Sequence, residues 1–167
     1  LLGRGRHCEV YEVLPAGPAG RRTAVKLLRP ELAERPGGLR HFLEKAEIAA
    51  SFHHPNLPEV LRIERDLDPP RVVLQPVDGT PLDRLAAPGR GLEPERATAI
   101  LRQAAAALDY LHARGAAHGG LSPASILVAA DGRVTLVGLR LPAGAGRERV
   151  PGGGGGGIAA GIGDEPG

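Results

Sequence analysis

The stretch His118-Gly119-Gly120-Leu121-Ser122-Pro123-Ala124-Ser125-Ile126-Leu127-Val128, read with Val134-Thr135-Leu136-Val137-Gly138-Leu139-Arg140, decides the fold. Two short apolar runs, 126–128 and 134–137, flank Asp131-Gly132, and an Asp-Gly pair between such runs signals a tight hairpin. Upstream, Ala97, Ile100, Leu101, Ala104, Leu108 and Leu111 recur at helical spacing as one apolar stripe. Pro94 stands where a first-turn proline belongs and Gly115 where a C-terminal glycine stop belongs. The pattern predicts a helix over 93–114, a loop, and a small hairpin.

Nearer the N-terminus, residues 8–14 alternate roughly and predict a strand. Pro15 to Gly20 reads as a turn, and 23–28 as the next strand. Leu39, Phe42, Leu43, Ala46, Ala49 and Ala50 predict an amphipathic helix over 39–52, stopped by His54-Pro55. Residues 57–64 and 71–75 are two more strands, and no internal repeat is visible. Strands, one helix, strands, then helix and hairpin make an α+β fold, not alternating βαβ units. After Pro142 the periodicity ends, and the glycine-rich tail over 143–167 is expected to be disordered.

The chain has 167 residues, 42% of them hydrophobic, enough for a domain-sized core. Net charge is +2, and Lys26 and Lys45 are the only lysines. The arginines are spread among acids, which argues against a nucleic-acid face. A lone cysteine, Cys8, excludes an internal disulfide and fits a reducing cytoplasm, the expected location. No run approaches the roughly 18 apolar residues of a membrane span, so no membrane contact is expected within this stretch. The visible start carries no signal-peptide pattern. The chain begins at Leu1 rather than Met, so a partial reading frame is expected.

Taken together, the order of elements and the motifs resemble the eukaryotic-type Ser/Thr protein kinases of bacteria, from residue 1 to about 142. The resemblance implies an antiparallel small lobe with one helix and a hinge over 1–77, then the start of a mainly helical large lobe over 78–142. The remainder of the large lobe would be missing, which makes a truncated chain the expectation.

Gly3-Arg4-Gly5-Arg6-His7-Cys8-Glu9-Val10 is similar to the family's Gly-x-Gly-x-x-Gly-x-Val, with Cys8 at the third glycine. Glycines there let backbone amides approach phosphates. A dinucleotide-binding loop would need a helix next, whereas Val10-Tyr11-Glu12-Val13 reads as a strand, and no Gly-Lys-Ser/Thr loop is present. Ala24-Val25-Lys26 resembles the strand whose lysine holds the α- and β-phosphates. Counted back from His54-Pro55, the family's partner glutamate is replaced by Lys45; Glu44 and Glu47 lie roughly 100° and 200° away around the helix. Leu74-Gln75-Pro76-Val77 resembles the hinge, where the Gln75 carbonyl and Val77 amide would bond an adenine. Val10, Ala24 and Leu127 match the apolar residues around that base, and each is equally an ordinary core residue.

The catalytic positions are degenerate. Gly120 stands at the catalytic aspartate, Ser122 at the lysine, Ser125 at the asparagine and Gly138 at the metal-binding aspartate. Serine is a poor ligand for a hard dication, and after Asp131 the next acid is Glu148. His118 is expected to pack in the core, His53-His54 to cap a helix end, and Cys8 to be inert. The resemblance thus implies a pseudokinase-like module with weak ATP binding at most, no magnesium, no metal site, and a protein partner in bacterial signalling. Two alternatives stay open: an active Ser/Thr kinase using non-standard residues, or a truncated fragment without function.

Overall fold

The computed structural model describes residues 1–14, 21–86 and 91–140. The expected turn at Pro15 to Gly20 and the glycine-rich tail lie outside them. Five strands form one antiparallel sheet: β1 (Gly3–Arg4), β2 (Cys8–Val13), β3 (Thr23–Leu28), β4 (Val60–Glu64) and β5 (Arg71–Leu74), in the order β1-β2-β3-β5-β4. Its register sets the faces. Val10 lies opposite both Gly3 and Lys26, Lys26 opposite Val72, and Ala24 opposite Leu74. Side chains alternate along a strand, so Cys8, Val10, Ala24, Lys26, Val72 and Leu74 share one face. Helices α1 (Pro30–Ala33) and α2 (Gly38–Ala50) follow β3. Phe42 and Ala46 of α2 are buried with Val72, and Cys8, Leu28, Leu43 and Leu74 pack around them.

The second half holds β6 (Thr80–Pro81), α3 (Leu82–Leu85), α4 (Pro94–His112), a 3₁₀ turn (Pro123–Ser125), β7 (Ile126–Val128) and β8 (Val134–Leu136). The last three strands pair antiparallel in the order β6-β7-β8. Ile100, Ala104, Ala107 and Leu111 of α4 bury against Phe52, Leu57, Ile126, Val128, Val134 and Leu136. Leu111 and Leu136 are fully buried, each stabilising the fold by about 1.5–3 kcal/mol.

The α+β architecture is as expected, with four corrections. Leu101 is not in the buried stripe but 60% exposed, and Ala107 takes the inward place. Strand β4 starts at Val60 rather than Leu57, because Leu57 is buried in a turn before Pro58. Helix α2 ends at Ala50, where Ser51 closes it with a hydroxyl bond to the Ile48 carbonyl at 2.7 Å. Strand β8 ends at Leu136: the Val137 amide still reaches the Ser125 carbonyl in register at 2.9 Å, but the Ser125 amide is turned to the Ser122 carbonyl and returns no bond.

Asn56 ties the α2–β4 connection to the lower core. Its Nδ2 donates to the Val134 carbonyl at 2.6 Å and to Gln103 Oε1 at 3.1 Å, and its carbonyl accepts from the Leu136 amide at 2.8 Å. No helix among the described residues is long and apolar enough to cross a membrane.

Candidate functional site: a cleft between the sheet and the 118–140 segments

The floor of the cleft is built from the two segments at 118–125 and 137–140. His118 is buried, and its Nε2 lies 3.1 Å from the Val137 carbonyl, so that nitrogen carries the proton and donates. Nδ1 has no partner. Burial lowers the His118 pKa, so the ring is neutral, a packing and positioning residue as expected. The Arg140 amide donates to the His118 carbonyl at 2.8 Å and clamps the segments together.

That clamp explains the paired glycines. Gly119 has φ +70°, a left-handed conformation that disfavours side chains, and a Cβ there would strike the Arg140 carbonyl. A Cβ on Gly120 would lie 2.9 Å from both Cδ and Nε of Arg140. The arginine therefore fills the space beside the position that matches the catalytic aspartate. Gly138, at φ +79°, has nothing within 4 Å of where a Cβ would stand. Ser125 Oγ donates to the Ser122 carbonyl at 2.8 Å and accepts from the Ser122 amide at 2.9 Å. Its hydroxyl proton and one lone pair are thus spent inside the 3₁₀ turn. The residues do not fit magnesium. Gly120 and Gly138 offer no side chain, the Ser125 hydroxyl is engaged, and no three His, Cys, Asp or Glu side chains among the described residues could hold a metal ion.

The upper wall is the α2-covered face of the five-stranded sheet. The turn between β1 and β2 closes with the Gly5 amide donating to the Cys8 carbonyl at 2.8 Å, and Gly3 faces open space. Val10, Ala24 and Lys26 share this face by register. Lys26 is half-buried and forms no ion pair among the described residues. Burial pushes the Cys8 thiol pKa up, which fits the inert role, while the charges of Lys26 and Lys45 pull it down. The two nearby glutamates are committed elsewhere: Glu44 pairs with Arg40 at 3.1 Å and Glu47 with Arg65. Neither serves Lys26.

At the edge, the Gln75 amide donates to the Glu59 carbonyl at 2.8 Å. No bond among the described residues claims the Gln75 carbonyl or the Val77 amide, the two groups expected to face an adenine. Arg22 pairs with Asp78 just beyond and with Glu12 at 3.0 Å, and holds the Asp78 carboxyl below its usual range. Leu127 lies half-buried between the buried Ile126 and Val128, so alternation turns it to the opposite face, available to a ligand. A separate groove of about 310 Å³, lined by Tyr11, Val13, Val25 and Leu27, lies on the other face of the sheet, away from these groups.

Arg140 and Gly119 are the two site residues without an expectation from the sequence. The signal for Arg140 was present: it stands at the last position of the triplet that matches Asp-Phe-Gly, where the family has glycine.

Strand order, motif spacing and this cleft define a protein-kinase fold. The family model for protein tyrosine and serine/threonine kinases matches residues 1–142, and the chain belongs to that family. Its relatives include the probable serine/threonine-protein kinase SCO3848 of Streptomyces coelicolor, 35% identical over 141 residues, covering 82% of this chain and 21% of the relative. Serine/threonine-protein kinase PknD of Mycobacterium tuberculosis is 34% identical over 137 residues, with 82% and 20% covered. The crystal structure of Rad53 residues 1–466 in complex with AMP-PNP superposes with a TM-score of 0.67 at 22% identity, covering 83% of this chain and 36% of that one. The chain spans about a fifth of the length of these curated relatives.

Proposed function

We propose that the chain is a pseudokinase-type module: it binds ATP weakly through the hinge and upper wall, transfers no phosphate, and serves bacterial signalling in the cytoplasm by binding a protein partner. The observation that carries the reading is at Gly120, where the side chain of Arg140 lies 2.9 Å from the site of a Cβ. Phosphoryl transfer depends on positioning, metal and a residue that accepts the substrate proton. Here an arginine, which cannot accept a proton, occupies that space. Losing the general base alone costs roughly 10²–10⁴-fold, and the metal positions Ser125 and Gly138 offer no carboxylate. Gly3, Gly5, Val10, Ala24, Lys26, Gln75, Val77 and Leu127 remain suited to a nucleotide, and the AMP-PNP complex of the Rad53 neighbour supports nucleotide binding as the retained function.

Calorimetric titration of ATP, with magnesium and again with EDTA, tests this. Two weak and matching isotherms are expected. A strong magnesium requirement would show a metal site that these residues do not provide.

A further inference from the structure

We propose that the Arg140 guanidinium is a resident cation of the cleft floor beside Gly120, where it takes the polyphosphate of a metal-free nucleotide. The inference rests on the nucleotide reading above and adds the charge that holds the phosphates.

Three observations carry it. First, the arginine is built into the floor. Its amide is bonded to the His118 carbonyl at 2.8 Å, and its Cδ, Nε and Cζ lie 2.9, 2.9 and 3.3 Å from where a Cβ of Gly120 would be. Gly119 and Gly120 leave the room that this side chain uses. Second, the arginine is exposed, and no acid among the described residues pairs with it. Third, Lys26 on the upper wall is a second cation with no ion pair among the described residues. Lys45 on α2 adds a positive charge that acts on the same Cys8 thiol as Lys26, and Glu44 and Glu47 are paired with surface arginines. Gly138 contributes only space.

A cleft lined by one sign of charge concentrates the opposite ion and repels its own. This one attracts a polyanion and disfavours a dication. A guanidinium also forks onto two phosphate oxygens at once and stays charged at every working pH.

The test is titration of ATP, adenosine and inorganic tripolyphosphate, all in EDTA, into the chain and into Arg140→Ala and Arg140→Lys. ATP and tripolyphosphate should bind the unaltered chain. Arg140→Ala should weaken both by roughly tenfold or more, the loss of one charge-assisted contact, and leave adenosine unchanged. Arg140→Lys keeps a charge, should recover part of the loss, and serves if the alanine variant fails to fold. Unchanged ATP affinity in Arg140→Ala overturns this role while leaving nucleotide binding intact. Binding of neither ATP nor adenosine to the unaltered chain overturns both readings. Tripolyphosphate binding that depends on Arg140, without adenosine binding, supports the arginine and removes the adenine site.

Discussion

The backbone amide of Arg140 donates to the carbonyl of His118 at 2.8 Å, and that bond joins the two segments that form the floor of the cleft. The His118 ring reaches back to Val137, three residues before Arg140, at 3.1 Å.

His118 makes stability depend on pH. Burial, the main cause, and then the charge of Arg140 lower its pKa from the ordinary 6.5, against the Val137 carbonyl, which raises it. The folded state therefore binds fewer protons than the unfolded state between the folded and unfolded pKa values. The stabilising effect is complete above the unfolded value and is lost as pH falls toward the folded one. The melting temperature should drop from about pH 6.5 downward, and His118→Leu should flatten that drop. His54, lowered by burial and by Arg114, supplies a remainder. A profile of the same slope in both proteins would show that His118 does not titrate with unfolding.

Asn56→Ala should destabilise the chain by about 1–3 kcal/mol, because it strips the Val134 carbonyl and Gln103 Oε1 of a buried donor. Urea denaturation measures this. A loss under about 0.5 kcal/mol, typical of neutral surface changes, would mean the network is not holding the two halves of the core together.

Ile100 and Leu101 are neighbours with opposite fates, 3% and 60% exposed. Ile100→Ala should cost about 2–5 kcal/mol by leaving a cavity. Leu101→Glu should leave the melt within about 0.5 kcal/mol, since Leu101 faces solvent. Equal costs for the two would place the apolar stripe of α4 elsewhere.

This pair also shows what the sequence can and cannot say. Period 3.6 finds the helix and its apolar side, but residues one apart differ by roughly 100°, and either could lead a stripe of Ala and Leu. The strands and the hairpin at Asp131-Gly132 were legible because alternation and turn chemistry are local. Helices α1 and α3, four residues each, are too short to show a period. The glycines at 120 and 138 are plain in the sequence. The arginine beside Gly120 was not, because only the folded chain brings residue 140 against residue 120.

Lys45→Glu should give Lys26 an opposite charge. Lys45 is exposed, so the gain should be small, about 0–1 kcal/mol, and should fade with salt. The Cys8 thiol gives a second readout: removing one of the two lysines that pull its pKa down should raise it. The pH profile of its alkylation should shift upward in the variant. An unshifted profile would mean α2 does not carry Lys45 toward Cys8.

The central claim is that a kinase fold here carries no phosphoryl transfer. Label transferred from ATP with magnesium or manganese, to the chain itself or to generic protein substrates, measures it directly beside a Lys26→Ala control. The account predicts incorporation equal to the control with either metal, and incorporation above the control would contradict it.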